Sequence, residues 1–240
     1  MAQQPPPPLP EASINLRRFA DRAQLQAAVE ERLAQVLAGP GTDHPAVMLS
    51  GGSTPIPAYL ELATRRLTPA PGLTVLFSDD RYVPSDSEQS NFHQSRPLFT
   101  ALGLGAAQVL RIRTELPLAD ATLDSERRLA QLLSGGQRIT LGLLGLGADG
   151  HTASLFSAAD LEHARGRLAV SVHRPDGRDA VSVTPTVLER VDELIFVVAG
   201  ADKRPALEAL MQHRPDLTAW AAVRGCRTVA VWADSAASPA

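Results

Sequence analysis

Apolar positions along this chain follow two different periods, and the exchange between them predicts the fold. Leu25, Val29, Leu33, Val36 and Leu37 recur at helical spacing and predict an amphipathic helix that Gly39-Pro40 stops. An unbroken apolar run, Ala46 to Leu49, then predicts a buried strand. Ile56, Tyr59, Leu60, Ala63 and Leu67 predict a second helix, and Leu73 to Phe77 the next strand. Thr122, Leu129, Leu132 and Leu133 mark a third helix, followed by a strand from Ile139 to Leu146. Leu168–Val172, Val181–Val183, Leu194–Val198 and Thr228–Val231 are further strands, with a helical stripe of Ala206, Leu207, Leu210 and Met211 between the last two. Continuous apolar strands separated by helices imply an α/β fold: a mostly parallel, Rossmann-like sheet with helices on both faces. Such sheets take ligands outside the carboxyl ends of their strands, so the loops that follow strands are where chemistry is expected.

The proline run in residues 1–12 favours extended polyproline II and cannot join a core, so it reads as a tail. Residues 13–236 read as a single α/β domain, and Ala237–Ala240 as a second loose end. The length of 240 residues is enough for a proper core. The net charge of −3, without a long Lys/Arg run, gives no nucleic-acid or anionic-membrane surface. An anionic ligand therefore needs a local cationic pocket. The single cysteine, Cys226, excludes an intrachain disulfide and reads as a buried, inert thiol. No apolar run reaches membrane-spanning length and no signal-peptide pattern opens the chain, so a cytoplasmic location is expected.

Four segments after predicted strands carry candidate chemistry. Ser50-Gly51-Gly52-Ser53-Thr54-Pro55 joins a strand to a helix. Its glycines admit a close ligand, Ser53 or Thr54 is placed to cap the helix, and the free N–H groups there suit an anion such as phosphate. It also fits a plain capped turn. Ser78-Asp79-Asp80-Arg81 sets two acids and a base at a strand end, where burial requires pairing; either a structural ion pair or a cation beside a reacting carbonyl fits. Gly145-Leu146-Gly147-Ala148-Asp149-Gly150-His151 delivers an imidazole and a carboxylate on a glycine-rich turn, a pairing suited to proton transfer near neutral pH. In Gly200-Ala201-Asp202-Lys203, Lys203 stands at a helix start, where it either meets an anion or is merely solvated. His and Cys are too scattered for a metal site, and no serine lies in a G-x-S-x-G elbow.

The segments Ser50–Pro55, Ser78–Phe92 and Gly145–Phe156, with Gly200–Lys203 after them, resemble the signature blocks of the 6-phosphogluconolactonase family over most of the chain. The resemblance implies the sheet shared with glucosamine-6-phosphate deaminases, and cofactor-free, metal-free hydrolysis of a small sugar-phosphate lactone by a monomer or homodimer. It implies a catalytic set of His151 as general base, Asp149 and Arg81. It assigns the substrate and its phosphate to Gly51, Gly52, Ser53, Thr54, Asp79 and Lys203. An arginine next to the strand Val181–Val183 completes the family's phosphate site; here Ala180 occupies its place, leaving Arg178 or Arg174 to fill the role. Two further departures are Asp80 where the family usually has Glu, and Ser157 where it has Pro. Deaminases resemble the chain less, since their pattern has a Glu shortly after the His and none stands between His151 and Ser157. Sugar-phosphate sensors with this sheet carry a helix-turn-helix segment, and the only extra segment here is the proline tail.

Overall fold

The computed structural model describes residues 13–39, 44–136 and 138–239; the proline-rich tail lies outside them. Strand β1 (Ile14–Phe19) and helix α1 (Arg22–Ala38) lead to β2 (Ala46–Leu49), α2 (Ile56–Thr64), β3 (Thr74–Phe77), β4 (Asp79–Arg81) and α3 (Asn91–Ala101). There follow β5 (Val109–Leu110), α4 (Leu118–Leu132), β6 (Ile139–Leu144), α5 (Ala158–His163), β7 (Ala169–His173) and β8 (Asp179–Val183). The chain closes with α6 (Pro185–Leu188), β9 (Val191–Val198), α7 (Arg204–Met211), α8 (Thr218–Val223) and β10 (Val229–Asp234).

Seven strands form a parallel sheet in the order β1-β10-β9-β6-β2-β3-β5. Alternate residues of its central strands bury on opposite faces, as the two-residue period of a strand requires. Val47, Val75, Leu141 and Ile195 meet α1, α2 and α3 through Leu33, Tyr59 and Leu98. Met48, Leu76, Leu194 and Phe196 belong to the opposite core, with α4, α7 and α8 contributing Leu129, Leu207 and Trp220. Both faces are therefore dry, which explains why the central strands read as unbroken apolar runs. Cys226 is buried, and burial pushes its thiol up to about 12, as an inert cysteine requires. Among the described residues no helix is long and apolar enough to cross a membrane.

Several expectations need correction. The predicted strands Leu168–Val172 and Val181–Val183 exist, but they belong to a separate antiparallel sheet, β4-β8-β7. The reason is the length of the connection. Arg174 N–H donates to the carbonyl of Arg178 at 2.8 Å, closing a hairpin turn too short for the crossover that a parallel pair needs. Leu67 lies outside α2, because Arg65 leaves the helix in an extended conformation; Leu60 faces solvent while Tyr59 and Leu62 are buried. Neither Ser53 nor Thr54 caps α2, whose N-cap is Pro55 without a side-chain hydrogen bond. The C-terminal residues as far as Pro239 are not loose. The Asp234 carboxylate at the end of β10 accepts the N–H of Ala237 at 2.8 Å and of Gly200 at 3.1 Å. Ala237 is consequently fully buried, and Arg18 donates to the carbonyl of Pro239.

The two sheets meet where β3 runs into β4. Asp80 is buried there, and its carboxylate does not pair with the Arg81 guanidinium. One oxygen accepts the N–H of Asn91 at 2.6 Å and of Arg81 at 2.9 Å; the other accepts the Ser90 hydroxyl at 2.9 Å and the Phe92 N–H at 3.1 Å. Three of these donors, on Ser90, Asn91 and Phe92, belong to the buried start of α3, so the carboxylate fixes where that helix begins. Burial pushes the Asp80 carboxyl up to about 6, even though the Asn91, Phe92 and Ser90 donors oppose the shift. A carboxyl raised in the folded state contributes stability below its unfolded value, and that contribution is lost as pH rises through the folded one. Urea unfolding at pH 4 and pH 7 is expected to show the protein losing up to about 3 kcal/mol relative to Asp80→Asn across that interval. The same pH dependence in both proteins would mean that folding does not raise the Asp80 carboxyl.

Candidate functional site

The strand order changes direction between β2 and β6. From β2 the chain moves outward through β3 to β5, then returns to place β6 on the other side of β2. The loops after β2 and β6 therefore diverge and leave a crevice at the carboxyl ends of the strands. A cavity of about 200 Å³ lies there, lined by Ser50–Pro55 after β2, Asp79 and Arg81 of β4, Gly145–Gly147 and His151 after β6, and Lys203 after β9. Asn91 of α3 and Arg174 of the β7–β8 turn complete it. Gly51, Gly52, Ser53, Thr54, Asp79, Arg81, His151 and Lys203 thus come together as the sequence predicts.

The β2 loop presents backbone rather than side chains. Among the described residues, the N–H groups of Gly51, Gly52, Ser53 and Thr54 meet no hydrogen-bond acceptor. Four unsatisfied donors in one turn are a ready anion cradle. The loop is seated against α3 at close range: a Cβ on Gly51 would fall 1.8 Å from Asn91 Oδ1.

Asp149 does not line the cavity, but it holds the residue that does. Its Oδ1 lies 2.5 Å from His151 Nδ1, which leaves Nε2 as the free ring nitrogen. Burial alone would raise the Asp149 carboxyl; the hydrogen bond and charge of His151 outweigh it and hold the group below the usual carboxylate value. Asp149 is therefore ionised at neutral pH. The pair is tightly seated, since a Cβ on Gly147 would come within 2.2 Å of His151 Nδ1. The His151 ring also rests against Phe156, 4.3 Å between centroids. Ser157, the departure from the family's proline, caps α5 in a reciprocal capping box with Asp160, so the loop end is fixed by hydrogen bonds instead of a ring.

Asp79 and Asp80, adjacent in β4, point to opposite sides. Asp79 Oδ2 accepts the Ser154 hydroxyl at 2.7 Å, and Oδ1 accepts the Ser78 hydroxyl at 3.0 Å. Its carboxylate is thus engaged in tying the β6 loop to β4. Ser154 Oγ in turn accepts Arg174 Nη1 at 3.2 Å, while Asp176 accepts from Arg174 Nε and Nη2, which leaves one hydrogen on each terminal nitrogen unengaged, and the Phe156 ring lies 5.1 Å from the guanidinium. Arg81 Nη1 donates to Asn91 Oδ1 at 2.7 Å and to the Gln89 carbonyl at 3.0 Å. Asn91 also donates to the Asp79 carbonyl at 2.8 Å.

Of the two arginines left open by the sequence, Arg174 lines the cavity. Arg178 does not; its guanidinium donates to Gln89 Oε1 at 2.7 Å, because the turn sends it toward the segment before α3. Sequence reasoning also missed Asn91 and Ser154. Both lie inside the recognised blocks, and a buried carboxylate needing donors was the available signal. Among the described residues no group of three or more His, Cys, Asp or Glu side chains is arranged to hold a metal ion.

A family model described as glucosamine-6-phosphate isomerases/6-phosphogluconolactonase matches residues 20–232. The 6-phosphogluconolactonase of Thermotoga maritima is 33% identical over 173 residues, 70% of this chain and 76% of its own. That of Homo sapiens is 31% identical over 204 residues, 81% of this chain and 78% of its own. The crystal structure of the Thermotoga maritima 6-phosphogluconolactonase superposes with a TM-score of 0.80 at 28% identity, over 93% of this chain and 100% of that one. With the motif blocks gathered on one cavity and relatives of this similarity spanning most of its length, the chain belongs to the 6-phosphogluconolactonase family, within the wider group of glucosamine-6-phosphate isomerases and 6-phosphogluconolactonases.

Proposed function

We propose that this protein hydrolyses 6-phospho-D-glucono-1,5-lactone to 6-phospho-D-gluconate, the lactone-opening step of the oxidative pentose phosphate pathway, with His151 as general base. The observation that carries the reading is His151, held from outside the cavity by Asp149, lining the same cavity as the bare N–H groups of the β2 loop, Lys203 and Arg174. The cationic and N–H groups suit a phosphate monoester, and the imidazole suits proton transfer beside it.

The phosphate sits among the β2-loop N–H groups, Lys203 and Arg174, and this placement brings C1 of the lactone to His151. Water adds to C1 as His151 Nε2 takes its proton. Asp149 keeps the proton of the resting ring on Nδ1 and stabilises the imidazolium that forms. The carbonyl oxygen becomes an oxyanion, which Arg81 stabilises through Nε and Nη2, the nitrogens not engaged by Gln89 and Asn91. Collapse breaks the bond from C1 to the ring oxygen, and His151 returns its proton to that leaving oxygen. The carboxylic acid formed ionises and releases one proton to solvent. Asp79, Ser154 and Asn91 are positioning residues, engaged with Arg174, Arg81 and each other's loops.

Proton release after adding the fresh phosphorylated lactone, against unphosphorylated gluconolactone as control, is the direct measurement. Fast release with the phosphorylated lactone alone is expected; a rate equal to spontaneous opening would refute the lactonase reading. His151→Ala is expected to lose about 10²–10⁴-fold in kcat, the usual size of a general acid–base contribution. A fully active His151→Ala protein would remove the base from that residue. The two arginines are separable by steady-state kinetics. Arg174→Ala is expected to raise KM about tenfold or more, as the loss of a charge-assisted contact to phosphate does. Arg178→Ala is expected to leave KM within about twofold, since exposed charges outside a site contribute little. The reverse order would return the phosphate role to Arg178.

A further inference from the structure

Helix α3 stands between two cavities. Asn91 faces the candidate site, whereas Phe92, Arg96, Phe99 and Thr100, at helical spacing, face a second cavity beside β5 and the segment after it. The second cavity encloses about 580 Å³, against about 200 Å³ for the first. That is room for a ligand well beyond a bare anion. One wall is apolar: Phe92 stacks on Phe99, 6.2 Å between centroids and 14° between planes, and Leu104 and Val109 extend it. The rest of the lining carries four arginines, Arg96, Arg111, Arg113 and Arg128.

Fold stability accounts for two of them. Arg128 donates to the carbonyls of Arg111 and Val109 at 2.8 and 3.2 Å, tying α4 to the edge strand β5. Arg111 grips Glu115 with two bonds of 2.9 Å and lies 5.5 Å over the Phe92 ring. The other two are not accounted for. Arg96 is exposed and has no hydrogen-bond or ion-pair partner among the described residues. Arg113 reaches the carboxylates of Glu115 and Asp124 only at 3.5 Å each, beyond the length of a good charge-assisted hydrogen bond. Four guanidinium groups thus face two carboxylates, a local excess of positive charge on a chain whose net charge is −3.

We propose that this cavity is a second binding site, for a phosphorylated ligand that carries a flat ring, the chemical class of the nucleoside phosphates. Guanidinium forks match phosphate oxygens two at a time, and Arg96 and Arg113 have donors to offer. Half-buried Phe92 and Leu104, backed by the buried Phe99 and Val109, give the ring an apolar surface beside the Arg111 guanidinium.

Calorimetric titration of the full-length protein with ADP tests this. Saturable binding is expected, weakened at least tenfold in Arg96→Ala/Arg113→Ala with an unchanged near-ultraviolet circular dichroism spectrum. Both side chains are exposed, so the double variant is expected to fold. Arg174→Ala, which alters the first cavity, is expected to bind ADP as the unaltered protein does. Inorganic pyrophosphate, which lacks the ring, is expected to bind at least tenfold more weakly than ADP. Four results overturn the proposal: no saturable binding of ADP, equal affinity in the double variant, loss of binding in Arg174→Ala, or pyrophosphate binding as tightly as ADP.

Discussion

Two adjacent buried carboxylates must find donors, and much of the cavity's architecture follows from how they do. Asp79 and Asp80 occupy successive positions of β4, so the alternation of a strand sends them to opposite sides. Asp80 gathers the N-terminal N–H groups of α3 and thereby sets that helix, with Asn91 at its first position to hold Arg81. Asp79 takes the Ser154 hydroxyl from the β6 loop, and Ser154 holds Arg174 from the second sheet. Leaving either carboxylate without donors costs several kcal/mol, so the loops have little freedom to separate. Arg81 and Arg174 are thus held in place through Asn91 and Ser154, which the two carboxylates in turn fix.

How much of this the sequence displays depends on what each residue answers to. β2, β3, β6 and β9 are buried on both faces, so their apolar runs announce them without reference to the rest of the chain. β1 and β5 lie at the two edges of the large sheet. Edge position leaves Arg17 and Arg18 tolerable in β1, and the pattern blurs. β4 reads Asp-Asp-Arg and has no apolar signal at all; it is a strand because β8 pairs with it. α3, with Asn91, His93, Gln94, Arg96 and Pro97, is a helix because Asp80 and Ser90 satisfy its first turn.

The site divides along the same line. The β2 and β6 loops are legible, because glycine beside polar residues after an apolar run has few other uses. Asn91 and Ser154 are not, because their partners lie 12 and 75 residues away and exist only once the sheets have met. The choice between Arg174 and Arg178 turns on the path of a hairpin of a few residues, which charge and spacing do not specify. Likewise, a chain of net charge −3 hides two cavities in which several cationic side chains converge, since a sum over the surface says nothing of where charges gather.

The seating of the β2 loop on α3 has a consequence for how such a protein can diverge. At position 51 a single added carbon would land 1.8 Å from the Asn91 side chain, which at the same time orients Arg81. Position 51 is thus closed to any side chain while Asn91 stands, and a smaller residue at position 91 would free that space only by releasing the arginine. The two positions form one heritable unit. A change at either one disturbs the hold on Arg81, so a lineage that makes it alters its chemistry before its fold.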